Sequence, residues 1–241
     1  MRYLILDLET LPHPQAGEWL EPVSCDPALL EPILPDSRLK DPLKVLINQE
    51  DVARRIAARP AEIEASIKAR TAERDDKLGL DPDCNLIAAV GYHVIGRSDP
   101  FCDVTYGTET NEGEALDHLW WEFNKDPDTK IVSFYGRQFD LPVLLRRSMY
   151  LGVKHPRLSL DRWKSPHIDV WDALTYGGAL RTARSLAFYA KRMGFTTLDK
   201  VDGADVLKLA KAGNWDAIRE HCLSDVGLTH AVANRLGLLT L

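Results

Sequence analysis

YLILDLET, residues 3–10, is the stretch whose reading decides the fold: an apolar run that ends in Asp7 and Glu9, set one leucine apart. Side chains of an extended strand alternate faces, so both carboxylates project the same way, close enough to repel. Acids also end strands simply to meet water or to turn the chain, so this pair alone leaves two readings open. A cation held between them is the reading that gives the repulsion a purpose.

The rest of the 241 residues narrows the choice. With 45% hydrophobic residues the chain can bury a substantial core. We read it as one α/β domain spanning 1–241, with a Pro-rich loop and a helical insertion at about 11–80. No run of eighteen apolar residues occurs, and YLIL is too short and too soon acidic for a signal peptide. A cytoplasmic protein without a membrane partner is therefore expected. Cys25, Cys84, Cys102 and Cys222 show no paired spacing, which argues against a zinc knuckle or a disulfide framework.

A net charge of −6 excludes a protein that coats duplexes through an overall positive field. The distribution is uneven. Arg146 to Arg192 holds ten Lys or Arg against three acids, interleaved with Tyr150, Trp163, Trp171, Tyr176, Phe188 and Tyr189. Cations mixed with stacking surfaces suit single-stranded nucleic acid, although the same aromatics also fit a core. Arg146, Arg181 and Arg184 are the candidate contacts to a substrate strand.

Six of fourteen prolines fall between Pro12 and Pro35, predicting an extended, irregular segment. Residues 48–77 read as two helices with Pro60 opening the second. Strands follow at NLIAAVGYHVIG and PFCDVTYG, then a helix at NEGEALDHLWWEFNK with an N-x-x-E capping pattern. KIVSFYG reads as a buried strand, LPVLLRRSMYLG as a helix, HIDVWDAL as a short strand and turn, and SLAFYAKRMG as a helix. NWDAIREHCLSDVGLTHAVANRLG reads as the last, long helix.

Two further acids stand near these elements. Asp140 in SFYGRQFDLP opens a helix after a strand, where capping alone would explain an aspartate. Asp225 follows His221 by one turn in REHCLSDVGL, where a surface pair is the plain reading. D-x-E, FDLP and H-x-x-x-D in this order resemble the DEDD (DnaQ-like) exonuclease superfamily, which has a ribonuclease H-like fold. The likeness is greatest to stand-alone 3′-5′ exonucleases related to the proofreading domain of family B DNA polymerases. It extends through LKDPLKV, LGLDPDCNLIAAVGY, HIDVWDAL and LDKVDGADVLKLAKAGNWDAIREHCLSDV, nearly the whole chain.

This resemblance implies a mixed sheet flanked by helices, with the helical insertion after the first strand. It also implies two divalent ions held by Asp7, Glu9, Asp140 and Asp225. Hard carboxylate oxygens independently favour Mg2+ or Mn2+. Glu9 and Asp225 would share one ion, Asp7 would bridge both, and Asp140 would reach the second through water. The superfamily usually places Tyr four residues before the fourth acid, or His five before it. Here those positions hold His221 and Glu220, so His221 becomes the candidate to orient or deprotonate the attacking water. Asp169 in HIDV reads as support rather than a ligand.

The implied activity is hydrolysis of phosphodiester bonds at the 3′ end of single-stranded or frayed nucleic acid, DNA favoured over RNA. A polymerase in trans is a candidate partner. A catalytically weak nucleic-acid-binding or polymerase accessory module of the same fold is the alternative.

Overall fold

The computed structural model describes every residue except Ser98, Leu160, Arg162, Trp163, residues 181–183, Leu198 and Leu241. Its strands are β1 Arg2–Pro12, β2 Asn85–Val94, β3 Phe101–Val104, β4 Thr129–Ser133 and β5 His167–Asp169. Its helices are α1 Ala16–Trp19, α2 Pro42–Lys77, α3 Glu109–Phe123, α4 Asp140–Leu151, α5 Val170–Leu174, α6 Leu186–Arg192, α7 Val206–Lys211 and α8 Trp215–Arg235. The strands form one sheet in the order β3-β2-β1-β4-β5. β1 runs antiparallel to β2 and parallel to β4, β3 is antiparallel to β2, and β5 is parallel to β4. This mixed sheet flanked by helices is a ribonuclease H-like α/β fold, as the resemblance implied.

The chain forms two compact units, one of residues 1–13 and 78–241, the other of residues 14–77. In the first, β1 is the central strand, which explains its nearly continuous apolar run. Its alternate residues serve two layers. Leu4, Leu6 and Leu8 join Leu116, Leu119 and Trp120 of α3 and Leu141 and Leu144 of α4. Tyr3 and Ile5 join Leu186 and Ala190 of α6 and Val226 and Val232 of α8. Further along the same face, Leu11 packs with Val206 of α7 and with Ile218 and Cys222 of α8. Helix α8 thus spans two apolar clusters, and each fully buried Ile or Val on it contributes roughly 1.5–3 kcal/mol. Asp7 and Glu9 fall between those clusters.

In the second unit, the Pro-rich segment runs antiparallel along α2. Arg74 donates to the carbonyl of Glu21 (3.4 Å), Ser66 Oγ accepts from the N–H of Asp26 (3.0 Å), Arg59 donates to the carbonyl of Leu29 (2.7 Å), and Asn48 accepts from the N–H of Asp36 (2.9 Å). The segment is mostly extended, as expected, but it also holds the short α1 and a 3-10 turn at Pro27–Leu30, and α2 is a single helix with Pro60 inside it, not two. Pro60 removes one intrahelical donor, and the flanking run of good helix formers carries the helix past it.

The start of α3 also differs from expectation. Thr108, not Asn111, is the cap, its hydroxyl accepting from the N–H of Asn111 at 3.4 Å. No described helix is long and apolar enough to cross a membrane.

Candidate metal centre

Asp7 and Glu9 lie on the face of β1 that α8 covers. The two carboxylates and the thiol of Cys222 each offer an atom within 4.8 Å of the others. Asp7 Oδ2 is buried and has no hydrogen-bond partner. Burial first, then the charges of Glu9, Asp225 and Asp140, push Asp7 well above the ordinary carboxyl range. Glu9 is raised likewise, by burial and then by Asp225 and Asp140. Cys222 donates to the backbone carbonyl of Asp7 at 3.5 Å, and its bond to Cys102, burial and the charge of Asp7 raise its own pKa. A protonated thiol is a packing group here, not a ligand for a hard cation.

Asp140 reaches the same place from the other layer. Pairing of β1 with β4 stops at Ile5↔Val132, so beyond it β1 has no neighbouring strand on that side. The backbone N–H of Leu8 there acts on the Asp140 carboxylate and partly offsets the rise in its pKa. Phe139, not Asp140, is the N-cap of α4, and no side chain caps this helix end. Its position inside the first turn frees the carboxylate from capping. Burial, and then the charge of Asp169, push Asp140 up to about 8. Close approach requires Gly136, since a Cβ there would stand 2.8 Å from Asp140 Oδ2 and 1.8 Å from Ser133 Oγ.

His221 and Asp225 share the buried side of α8, while Glu220, one position earlier, is exposed. His221 Nδ1 stands 2.5 Å from Asp199 Oδ2 and its Nε2 3.4 Å from Glu9 Oε1. Asp199, His221 and Asp225 offer a second set of atoms within 4.8 Å of one another. Burial raises Asp225, with His221 opposing and Asp199 and Asp202 adding to the rise. Burial is the largest influence on Asp199 and raises it, but the bond from His221 and the backbone N–H groups of Val201 and Lys200 together outweigh it and leave that carboxyl below its ordinary value.

A family comparison bears on what such a cluster serves. Residues 85–240 match the family described as predicted 3′-5′ exonuclease related to the exonuclease domain of PolB. The chain belongs to this family. No curated protein matches it. Within the exonuclease-family match lie Asp140, Asp199, His221 and Asp225, whereas β1 with Asp7 and Glu9 precedes it. Structure therefore joins the two halves of the acidic set, which the match itself does not span.

Other expected residues of this exonuclease-family chain fare differently. Asp169 accepts from the backbone N–H groups of Tyr135, Arg137 and Trp171, each at 3.0 Å, so it ties the loop before Asp140 to the start of α5. Arg146 pairs with Asp83, which also accepts from Tyr150. Arg147, counted in the basic stretch, is buried on Glu112 at 2.8 Å. Arg184 lies over the ring of Phe188 at 5.7 Å. Arg181 lies outside the described residues. Sequence reading missed Asp199 and Cys222. Only the resemblance of the stretch around Asp199 pointed there, without a role for it.

Proposed function

We propose that the protein is a 3′-5′ exonuclease that hydrolyses the terminal phosphodiester bond of single-stranded or frayed nucleic acid, DNA favoured, by a two-metal-ion mechanism. The observation that carries this reading is the set of four carboxylates, Glu9 and Asp140 buried and Asp7 and Asp225 half-buried, three of which act on an Asp7 whose Oδ2 has no hydrogen-bond partner. Uncompensated, such a cluster is costly, and a cation is the natural counterpart of hard oxygen donors. Asp7, Glu9, Asp140 and Asp225 would hold Mg2+ or Mn2+, which when bound supplies charge stabilisation to the attacking and leaving oxygens of an in-line displacement.

The chain's own groups would do the rest. Asp199 occupies Nδ1 of His221, which leaves Nε2 as the atom to orient the attacking water and take its proton. Gly136 would leave the room that the Asp140 carboxylate needs to stand where it does. In this reading residues 14–77 are an insertion between β1 and β2 of one exonuclease domain, and a polymerase in trans is a candidate partner.

The test uses a 5′-labelled single-stranded oligonucleotide. Shortening from the 3′ end in Mg2+ or Mn2+, absent in chelator, is the expected result. An intact oligonucleotide under every metal condition would overturn the nuclease reading.

A further inference from the structure

The loop between β4 and α4 carries a side chain with no part in the chemistry above. Tyr135 has φ of 66°, in the left-handed region that L residues avoid and that bulky ones rarely adopt. Glycine or asparagine takes that conformation more readily, so local folding gives no reason for a tyrosine. The surroundings hold it there. Asp169 Oδ1 accepts from the Tyr135 N–H at 3.0 Å, and Oδ2 accepts from the Arg137 N–H at 3.0 Å. The next residue is Gly136, whose Cα borders the Asp140 carboxylate. Tyr135 is thus fixed at the rim of the acidic cluster.

Tyr135 is 43% exposed, and its ring stands edge-on to Trp171, with centroids 5.1 Å apart and planes at 78°. A T-shaped brace of this kind orients a ring while leaving area open. Separately, Phe134 packs half-buried beside Tyr189 (6.3 Å), whose ring meets that of Phe188 (5.6 Å) under Arg184. An enzyme stepping along a strand must accept every base, and stacking on a π-face does so without reading edges.

We propose that Tyr135, braced by Trp171, is a stacking platform for a nucleobase of the substrate strand beside Asp140. The inference rests on the nuclease reading and adds a base-binding subsite to it. Three variants test it: Tyr135→Asn and Tyr135→Gly suit the backbone and remove the ring, whereas Tyr135→Phe keeps it.

Affinity is measured in chelator, by fluorescence anisotropy, for a single-stranded oligonucleotide and for the same oligonucleotide with abasic sites at its 3′-terminal positions. The Asn and Gly variants should bind the first about 10- to 100-fold more weakly than wild type and the second equally well. Tyr135→Phe should recover the lost affinity. Unchanged affinity in both ring-deleted variants, or an equal loss on the abasic strand, overturns the platform while wild-type shortening of the strand leaves the nuclease reading standing. Wild-type protein that neither binds nor shortens the strand overturns both.

Discussion

His221 is held at Nδ1, 2.5 Å from Asp199 Oδ2, and turns Nε2 toward Glu9, whose Oε1 lies 3.4 Å away. If Asp199 serves by fixing which nitrogen faces the water, Asp199→Ala should lower kcat about 10- to 100-fold with little change in KM. His221→Ala should cost roughly two orders of magnitude. Adding Asp199→Ala to His221→Ala should then cost almost nothing more, because the pair acts as a unit. Fully additive losses would show that Asp199 works independently of the ring.

Asp7→Asn should abolish strand shortening and raise the melting temperature of chelated protein. The amide removes a charge that burial and three neighbouring acids oppose. Calorimetry in chelator alongside the oligonucleotide assay checks both halves. A variant that still cleaves at the wild-type rate would remove Asp7 from the metal centre.

Chelated protein should lose stability as pH rises. Asp7, Glu9, Asp140 and Asp225 all have folded-state pKa values above their unfolded ones, Asp140 at about 8. Between about pH 4 and the folded value, the native state holds protons that the unfolded chain has released. Their contribution is complete below the unfolded pKa and disappears as pH climbs through the folded one. Melting temperature in chelator should therefore fall from pH 6 to pH 8.5. Mg2+ at a hundredfold excess over its Kd should recover about 2.7 kcal/mol at the upper pH. A metal-free profile without that decline would mean the acids do not oppose one another as described.

Gly91→Ala should destabilise the protein by roughly 1–3 kcal/mol, because its Cβ would stand 2.6 Å from Cys222 Sγ and 3.2 Å from Val226 Cγ2. Since α8 must shift to accommodate it, strand shortening should weaken as well. Cys222→Ala in the same chain should restore part of both. Urea titration of the single and double variants reads the effect, and no rescue would place the clash elsewhere.

The layered sheet was legible from local patterning, whereas Asp7, Glu9, Asp140 and Asp225 each had a plain local reading and were joined only by the order of D-x-E, FDLP and H-x-x-x-D that the resemblance supplied. Other features depended on tertiary context. Asp199 sits in an irregular loop 22 residues before His221 in sequence, and nothing in DKVD marks it as that histidine's partner. The fit of Gly91 to Cys222 exists only once α8 crosses the sheet. Pro60 misled because a proline fits the first turn of a helix as well as a tolerated interior position. The basic stretch was divided by burial, with Arg147 committed to Glu112 inside the protein and Arg146 to Asp83 at its surface.

Helix α8 supplies Asp225 and His221 and also roofs the strand that bears Asp7 and Glu9. During synthesis β1 leaves the ribosome well before α8. An unfinished chain halted before Trp215 has three of the acids but lacks α8, which lies over Asp7 and Glu9, and lacks His221. Under the proposed function, a fragment cut before Trp215 would lack both one metal-holding acid and the histidine that orients the water.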